Sequence, residues 1–207
     1  MTSDETSTDR VDLYWIPLGA DGSPLVRWSG TAYEAVCAAA GRRPRRRLFH
    51  SALKVHLDGA THVIEVGPEW GRTEADRGVV SGGPVGHRLL GRSRLFRYEV
   101  RCWRGGVLPD EAHAVESPTL VGDRACARAV LRLVRDVPTH VWGRDELQVG
   151  DMWNSNSVVA WLLARAGADA AEPPQGGRAP GWAAGLELAR RQASVASGAG
   201  RWGHPPP

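Results

Sequence analysis

Apolar and polar residues alternate along two neighbouring stretches of the chain, and this pattern predicts a β-hairpin. The stretch LFHSALKVHL (48–57) carries apolar side chains on one face and mainly polar ones on the other. The stretch THVIEV (61–66) follows after Asp58-Gly59-Ala60. Because Asp-Gly strongly favours a two-residue hairpin turn, we expect two antiparallel strands joined by a tight turn.

The length of the turn decides on which face Glu65 lies. A two-residue turn places Ile64 opposite Leu53 on the apolar face, and Glu65 on the face of His50. A three-residue turn would place Glu65 opposite Leu53 in the core, where a carboxylate is costly. We therefore choose the first register, with Glu65 diagonal to His50 at about 7 to 8 Å between backbones. Glu65 could alternatively form a surface ion pair with Lys54.

The remaining pattern mixes strands and helices. Strands are predicted over 11–18 and 94–103, helices over 30–41, 119–137, 154–166 and 182–192, and a loop without periodicity over 67–92. This order predicts an α+β fold in which an antiparallel sheet packs against helices. We expect a disordered N-terminus (1–10), a single α+β domain (11–167) and a Pro/Gly-rich C-terminal extension with one short helix (168–207).

The composition is that of an ordinary globular protein, with 42% hydrophobic and 24% charged residues. The sequence shows no signal peptide and no apolar run long enough to span a bilayer. We therefore expect a cytoplasmic protein without a membrane partner.

Charge, cysteine content and glycine spacing argue against a nucleic-acid partner, a metal site and a dinucleotide cofactor. The net charge is +3, but Lys54 is the only lysine among 26 basic residues. This arginine bias is typical of genome-wide coding preference, so nucleic acid is an unlikely partner. The three cysteines form no Cys-x-x-Cys pair, and GGPVG (82–86) lacks the context of a dinucleotide fingerprint. We therefore predict no metal site and no cofactor.

A basic loop, RRPRRR (42–47), precedes the first hairpin strand. Its last three residues, Arg45, Arg46 and Arg47, could bind a phosphate or carboxylate through bidentate contacts. Alternatively, the loop is simply solvated after a helix C-terminus, where positive charge is favourable.

The stretch GDMWNSNSVVAWLL (150–163) passes directly from polar residues into an apolar helix. With Asn154 as the N-cap, Ser155 lies in the first turn, where free N–H groups and the helix dipole favour a developing anion. Simple capping explains the same residues, because Asn and Ser are common helix starters.

The histidine strand FHSALKV, the following HVIEV and the late helix entered through Asn-x-Asn resemble the circularly permuted papain-like proteins. These include the PPPDE peptidases and the lecithin retinol acyltransferase group. The chain is also similar to a bacterial family of unknown function with a Pro-Asn-Ser-Asn-Thr helix entry. The resemblance covers about residues 48–166.

This resemblance implies a permuted papain-like architecture and a site between the helix entry and the histidine strand. Ser155 would be the nucleophile, His50 the general base and Glu65 its orienting group. Asn154 and Asn156 would stabilise the oxyanion. The two tryptophans beside this entry, Trp153 and Trp161, are expected to be packing residues, although Trp153 could line the site.

The catalytic members of these families have cysteine where this chain has serine, which is the poorer nucleophile. Two functions therefore stay open: a hydrolase or acyltransferase acting on an amide or ester of a small molecule or peptide, and a non-catalytic module that binds a peptide or anion. The sequence does not indicate the oligomeric state.

Overall fold

The computed structural model describes residues 9–18, 34–35, 38–39, 41–69, 78–105, 108, 111–115 and 118–199. Within these residues, seven strands are β1 (Arg10–Pro17), β2 (Arg47–Leu57), β3 (Ala60–Pro68), β4 (Val79–Pro84), β5 (Arg97–Arg104), β6 (Thr119–Gly122) and β7 (Gly177–Arg178). Three helices of regular α type are α1 (Arg124–Leu133), α2 (Ser155–Ala166) and α3 (Trp182–Ala199).

The strands form one sheet in the order β4-β5-β3-β2-β1-β6, in which every neighbouring pair is antiparallel. The short strand β7 pairs parallel with the start of β2. The helices pack on one face of this sheet, so the predicted α+β fold with an antiparallel sheet is confirmed.

The register predicted for the hairpin of β2 and β3 is confirmed. Leu53 lies opposite Ile64, and Leu57 lies opposite Ala60. Asp58 and Gly59 have φ angles of 49° and 72°. A type I′ turn requires positive φ at both central positions, which is why Asp-Gly suits it.

Each face of the sheet has its own apolar cluster. The larger cluster joins inward residues of the strands to buried residues of the three helices. Helix α2 lies at its centre, and Val158 to Leu163 are all buried. The smaller cluster lies on the opposite face and contains Tyr14, Ile16, Ala52, Val63 and Leu108. Helix α2 packs on the face of the larger cluster. Since successive side chains of a strand point to opposite faces, only every second residue of β2 can contact α2.

The predicted loop over 67–92 contains strand β4. Its sequence VVSGGP shows little alternation because Gly82 and Gly83 carry no side chain. A Cβ at Gly82 would lie 2.6 Å from the carbonyl oxygen of Tyr98. The close approach of β5 therefore requires glycine at this position, and glycine also removes the side-chain alternation by which a strand is predicted.

Two boundaries differ from the prediction because local polar groups set them. The predicted helix over 119–137 begins only at Arg124, where the side chain of Asp123 accepts a hydrogen bond from the Cys126 amide at 3.0 Å. The residues before it, Thr119–Gly122, form β6 beside β1. Strand β5 begins at Arg97 rather than 94, because residues 94–96 form a 3₁₀ turn.

Residues of the predicted C-terminal extension pack against the main core as far as α3. Trp182 packs on Trp15 with 4.8 Å between ring centroids, and Leu188 and Ala189 are buried with the strands. Helix α3 runs to Ala199, beyond the predicted end at 192. Because an apolar face needs a partner surface, α3 packs on this core, and the domain boundary at residue 167 stays a prediction.

Three further predictions fall wholly or largely outside the described residues. Residues 1–8 of the predicted disordered N-terminus lie outside them, and Arg10 begins β1. Of the helix predicted over 30–41, residues 34, 35, 38 and 39 are helical and most others lie outside. Cys102 and Cys126 are free thiols, whereas Cys37 lies outside.

The contact between α2 and α3 provides a test of this packing. A Cβ at Gly185 would lie 2.2 Å from the Ser157 carbonyl oxygen and 2.9 Å from the Ala160 Cβ. We expect Gly185→Ala to lower the free energy of unfolding by about 1 to 3 kcal/mol, although Ala is normally the better helix former. Leu186→Ala, at the exposed neighbour, is the control. Urea unfolding checks both, and a more stable Gly185→Ala protein would contradict this packing.

Candidate functional site

The entry to α2 is a complete helix cap. The side chain of Asn154 accepts hydrogen bonds from the amides of Asn156 and Ser157, and the Ser157 hydroxyl accepts one from the Asn154 amide at 3.0 Å. This reciprocal arrangement is a capping box. The capping explanation therefore accounts for two of the four residues in Asn-Ser-Asn-Ser.

Asn156 joins α2 to two other parts of the chain. Its Oδ1 accepts a hydrogen bond from Ser51 on β2 at 2.9 Å, and its Nδ2 donates to the carbonyls of Phe49 and Pro180 at 2.9 and 2.8 Å. Asn154 also donates to the Pro180 carbonyl at 2.8 Å. Both amides are buried and engaged, so the predicted oxyanion role for Asn154 and Asn156 would require these bonds to break.

Ser155 differs from its three neighbours in the hydrogen bonding of its side chain. It is 7% exposed, and its hydroxyl makes no hydrogen bond with any described residue. It occupies the first turn of a 12-residue helix, where the positive end of the dipole lies. Ser155 is thus placed as predicted, with a hydroxyl that the local structure does not use.

His50 lies on the opposite face of β2 from Ser155. The neighbouring Ser51 points towards α2, because it bonds to Asn156. His50 is paired with Ile16 of β1, which belongs to the smaller cluster on the other face. Since successive side chains alternate between faces, the structure does not bring His50 to the helix entry, and the Ser-His pair stays a prediction.

Glu65 lies on the same face as His50, beside buried charges of β5. Its Oε2 is 3.9 Å from Nη1 of Arg101, which is 2% exposed and bonds Glu99 at 3.0 Å. Lys54, the alternative partner of Glu65, pairs with Glu111. The role of Glu65 in orienting His50 likewise stays a prediction.

Trp153 is a packing residue rather than part of an open pocket wall. It is 1% exposed, and its ring lies 4.8 Å from that of His140. The second tryptophan near the helix entry, Trp161, is 3% exposed and donates its Nε1–H to Gln192. The predicted packing role of both is therefore confirmed, whereas a substrate would have to displace neighbours to reach Trp153.

The carboxylate of Glu34 binds the basic loop before β2 through hydrogen bonds. Glu34 accepts two hydrogen bonds from Arg43, at 2.6 and 3.2 Å, and one from the Arg46 amide. The bonds from Arg43 lower the pKa of Glu34 to about 2, against the opposing effect of burial. Arg45, Arg46 and Arg47 themselves are exposed, which fits both explanations given for the loop.

A shallow basic recess lies where the end of β4 and the start of β5 meet the turn over Arg88–Arg92. A recess of about 280 Å³ is lined by Gly83, Pro84, Arg88, Gly91, Arg92 and Arg97. Its charged lining is wholly arginine, and Arg92 forms no ion pair with a described residue. The other two are partly neutralised, because Arg88 bonds Glu146 at 2.9 Å and Arg97 lies 3.1 Å from Glu69.

A second recess of about 620 Å³ lies on the other side of Arg88. It is lined by Gly86, His87, Arg88, Val141, Arg144, Asp145 and Glu146. Hydrogen bonds from the Val141 amide, Arg88 and His140 outweigh burial and lower the pKa of Glu146. Since this carboxylate stays ionised, the larger recess is less suited to an anion than the smaller one.

The recess of Arg88, Arg92 and Arg97 was not predicted, because residues 67–92 showed no helical or strand periodicity in their apolar positions. The available signal was local: HRLLGRSRLFR (87–97) combines four arginines with two apolar pairs. That combination points to a surface rather than to a core element, because apolar and charged residues are not segregated at helical or strand spacing.

Comparison with known proteins gives no relative. No family model, no curated protein and no solved structure matches the chain. The resemblance to permuted papain-like proteins therefore stays a prediction.

The described residues contain no group of three or more His, Cys, Asp or Glu side chains placed to hold a metal ion. Among their helices, none combines the length and the apolar character needed to cross a bilayer.

The two explanations of the helix entry differ in what each residue contributes to stability. We expect Asn156→Ala to lower the free energy of unfolding by about 3 kcal/mol, because Ser51 and two carbonyls lose a buried partner. Ser155→Ala removes no hydrogen bond and should change it by less than about 1 kcal/mol. Urea unfolding measures both changes. An equal loss of unfolding free energy in Ser155→Ala and Asn156→Ala would contradict the view that Asn156 is structural and that the Ser155 hydroxyl is not.

Proposed function

We propose that this protein is a non-catalytic module that binds an anionic ligand in the recess of Arg88, Arg92 and Arg97. The observation that carries the proposal is a shallow recess in which every charged lining side chain is an arginine. Guanidinium groups present several N–H donors in a fixed plane and suit phosphate and carboxylate groups.

The state of Arg92 supports this recess over the loop of Arg45, Arg46 and Arg47. Arg92 has no carboxylate partner among the described residues, so an incoming anion need not displace one. Arg88 and Arg97 each keep one acidic neighbour, which orients their guanidinium groups. Arg45, Arg46 and Arg47 line neither this recess nor the larger one beside Arg88.

The helix entry gives less support to catalysis by a Ser-His site. Both asparagines are engaged in structural bonds, and strand alternation separates His50 from Ser155. A general base must reach the proton that it removes. We therefore place binding before catalysis.

Titration with inorganic phosphate tests the binding site. We expect Arg92→Gln to weaken phosphate binding about tenfold, because a hydrogen bond to a charged group contributes about 1.5 kcal/mol. Arg128→Gln, on the exposed side of α1, is the matched control and should bind as the unaltered protein does. Isothermal titration calorimetry gives the affinities. Equal affinity of the two variants, or no binding to the unaltered protein, would contradict the proposal.

A serine-dependent hydrolase or acyltransferase is the second candidate. It is favoured by the Ser155 hydroxyl, which makes no hydrogen bond among the described residues and lies in the first turn of α2. The Ser155 oxygen would attack an ester or amide carbonyl and give its proton to a base. The bond to the alcohol or amine would break, that group would leave with a proton, and water or another acceptor would then take the acyl group from the serine.

A fluorophosphonate probe tests this second candidate. It should label the unaltered protein and not Ser155→Ala, as followed by intact mass. His50→Gln should reduce labelling if the imidazole is the base. Unlabelled protein under prolonged exposure would exclude the second candidate without affecting the first.

A further inference from the structure

The stretch that borders the arginine recess exposes four large apolar side chains. Leu89 and Leu95 are 65% and 66% exposed, and Leu90 and Phe96 are 43% and 42% exposed. Single exposed apolar residues are common, but a contiguous group on a protein surface marks an interaction site.

Main-chain and capping bonds hold this stretch without burying its side chains. It consists of two successive 3₁₀ turns, Arg88–Arg92 and Arg94–Phe96. The first is capped by the His87 side chain, which accepts from the Leu89 amide at 3.2 Å. The Ser93 amide donates to the Leu90 carbonyl at 2.9 Å, and the Phe96 amide donates to Ser93 at 3.0 Å. The apolar side chains therefore project from an ordered backbone.

Positive charge accompanies these side chains along residues 88–97. Four arginines (Arg88, Arg92, Arg94 and Arg97) lie in or next to the two turns, against two paired carboxylates, Glu69 and Glu146. The excess of cations is the complement of an anionic surface. Each arginine near an anionic bilayer adds to binding, and apolar side chains beside it enter the boundary between headgroups and acyl chains.

The shape of the patch favours a bilayer over a protein partner. Leu89 and Leu95 protrude with two thirds of their surface exposed, whereas an amphipathic helix or peptide is bound in an apolar groove. The recess beside them is lined by arginine, not by apolar residues, and suits one phosphate group.

We infer that residues 88–97 dock this protein onto anionic lipid bilayers, with a lipid phosphate in the recess of Arg88, Arg92 and Arg97 and with Leu89 and Leu95 inserted. This inference rests on the proposed function and identifies the anion bound in the recess as a lipid phosphate. It adds a peripheral contact where the sequence led us to expect no membrane partner. The lack of a spanning helix among the described residues does not bear on surface binding.

Vesicle co-sedimentation of the full chain tests the inference. The two lipid compositions are phosphatidylcholine alone and an equimolar mixture with phosphatidylglycerol. We expect binding to the mixture only, weakened about fivefold by Arg92→Gln and about tenfold by the double variant Leu89→Asn, Leu95→Asn. Leu120→Asn, at a residue 62% exposed on β6, is the matched control and should bind as the unaltered protein does.

Calorimetry with inorganic phosphate separates the two proposals. The leucine variant should keep the phosphate affinity of the unaltered protein, because it leaves the arginines in place. Phosphate binding without vesicle binding would overturn the inference and keep the proposed function. Equal vesicle binding by the leucine variant would overturn the insertion. Displacement of vesicles by an acidic peptide that binds through the same leucines, or a dimer of the free protein that requires them, would assign the patch to protein contact instead.

Discussion

The side-chain amide of Asn156 is the interaction on which the arrangement of α2, β2 and the segment before α3 depends. An amide has two donor hydrogens and an acceptor oxygen, and all three groups are used: the partners are Ser51 and Phe49 on β2 and Pro180 before α3. A buried amide is costly unless it is hydrogen-bonded. The three segments can therefore be displaced from one another only by leaving polar groups unpaired.

Close approach of the backbone follows from this arrangement. Gly181 has a φ of +91°, and a Cβ there would lie 2.2 Å from the Asn154 side chain. Gly185 allows α3 to lie directly on the carbonyl of Ser157. The helix cap, strand β2 and the segment that begins α3 are thus joined by polar contacts next to the apolar core.

The sequence was informative where a side chain has a local chemical reason to be at its position. Asp58-Gly59 determines the turn, the turn determines the register, and the register puts Glu65 on the face of His50. The start and end of α2 follow from Asn154 and Gly167 for the same reason. Strand β4 was not predicted because the glycines that allow β5 to approach closely also remove the alternation of side chains. The engagement of Asn156 also could not be read from pattern, since Ser51 is 105 residues away.

Asparagine and serine at a helix entry are compatible with capping, with an oxyanion site and with a tertiary joint, because all three use the same donors and acceptors. Once the bonds are known, the buried asparagines are explained by structure. The exposed leucines of residues 88–97 have no such explanation among the described residues, since Leu89 and Leu95 are two thirds exposed. A polar residue inside a core is stabilised by a partner within the chain. An exposed apolar side chain in an arginine-rich stretch is instead accounted for by the bilayer that we propose as its partner.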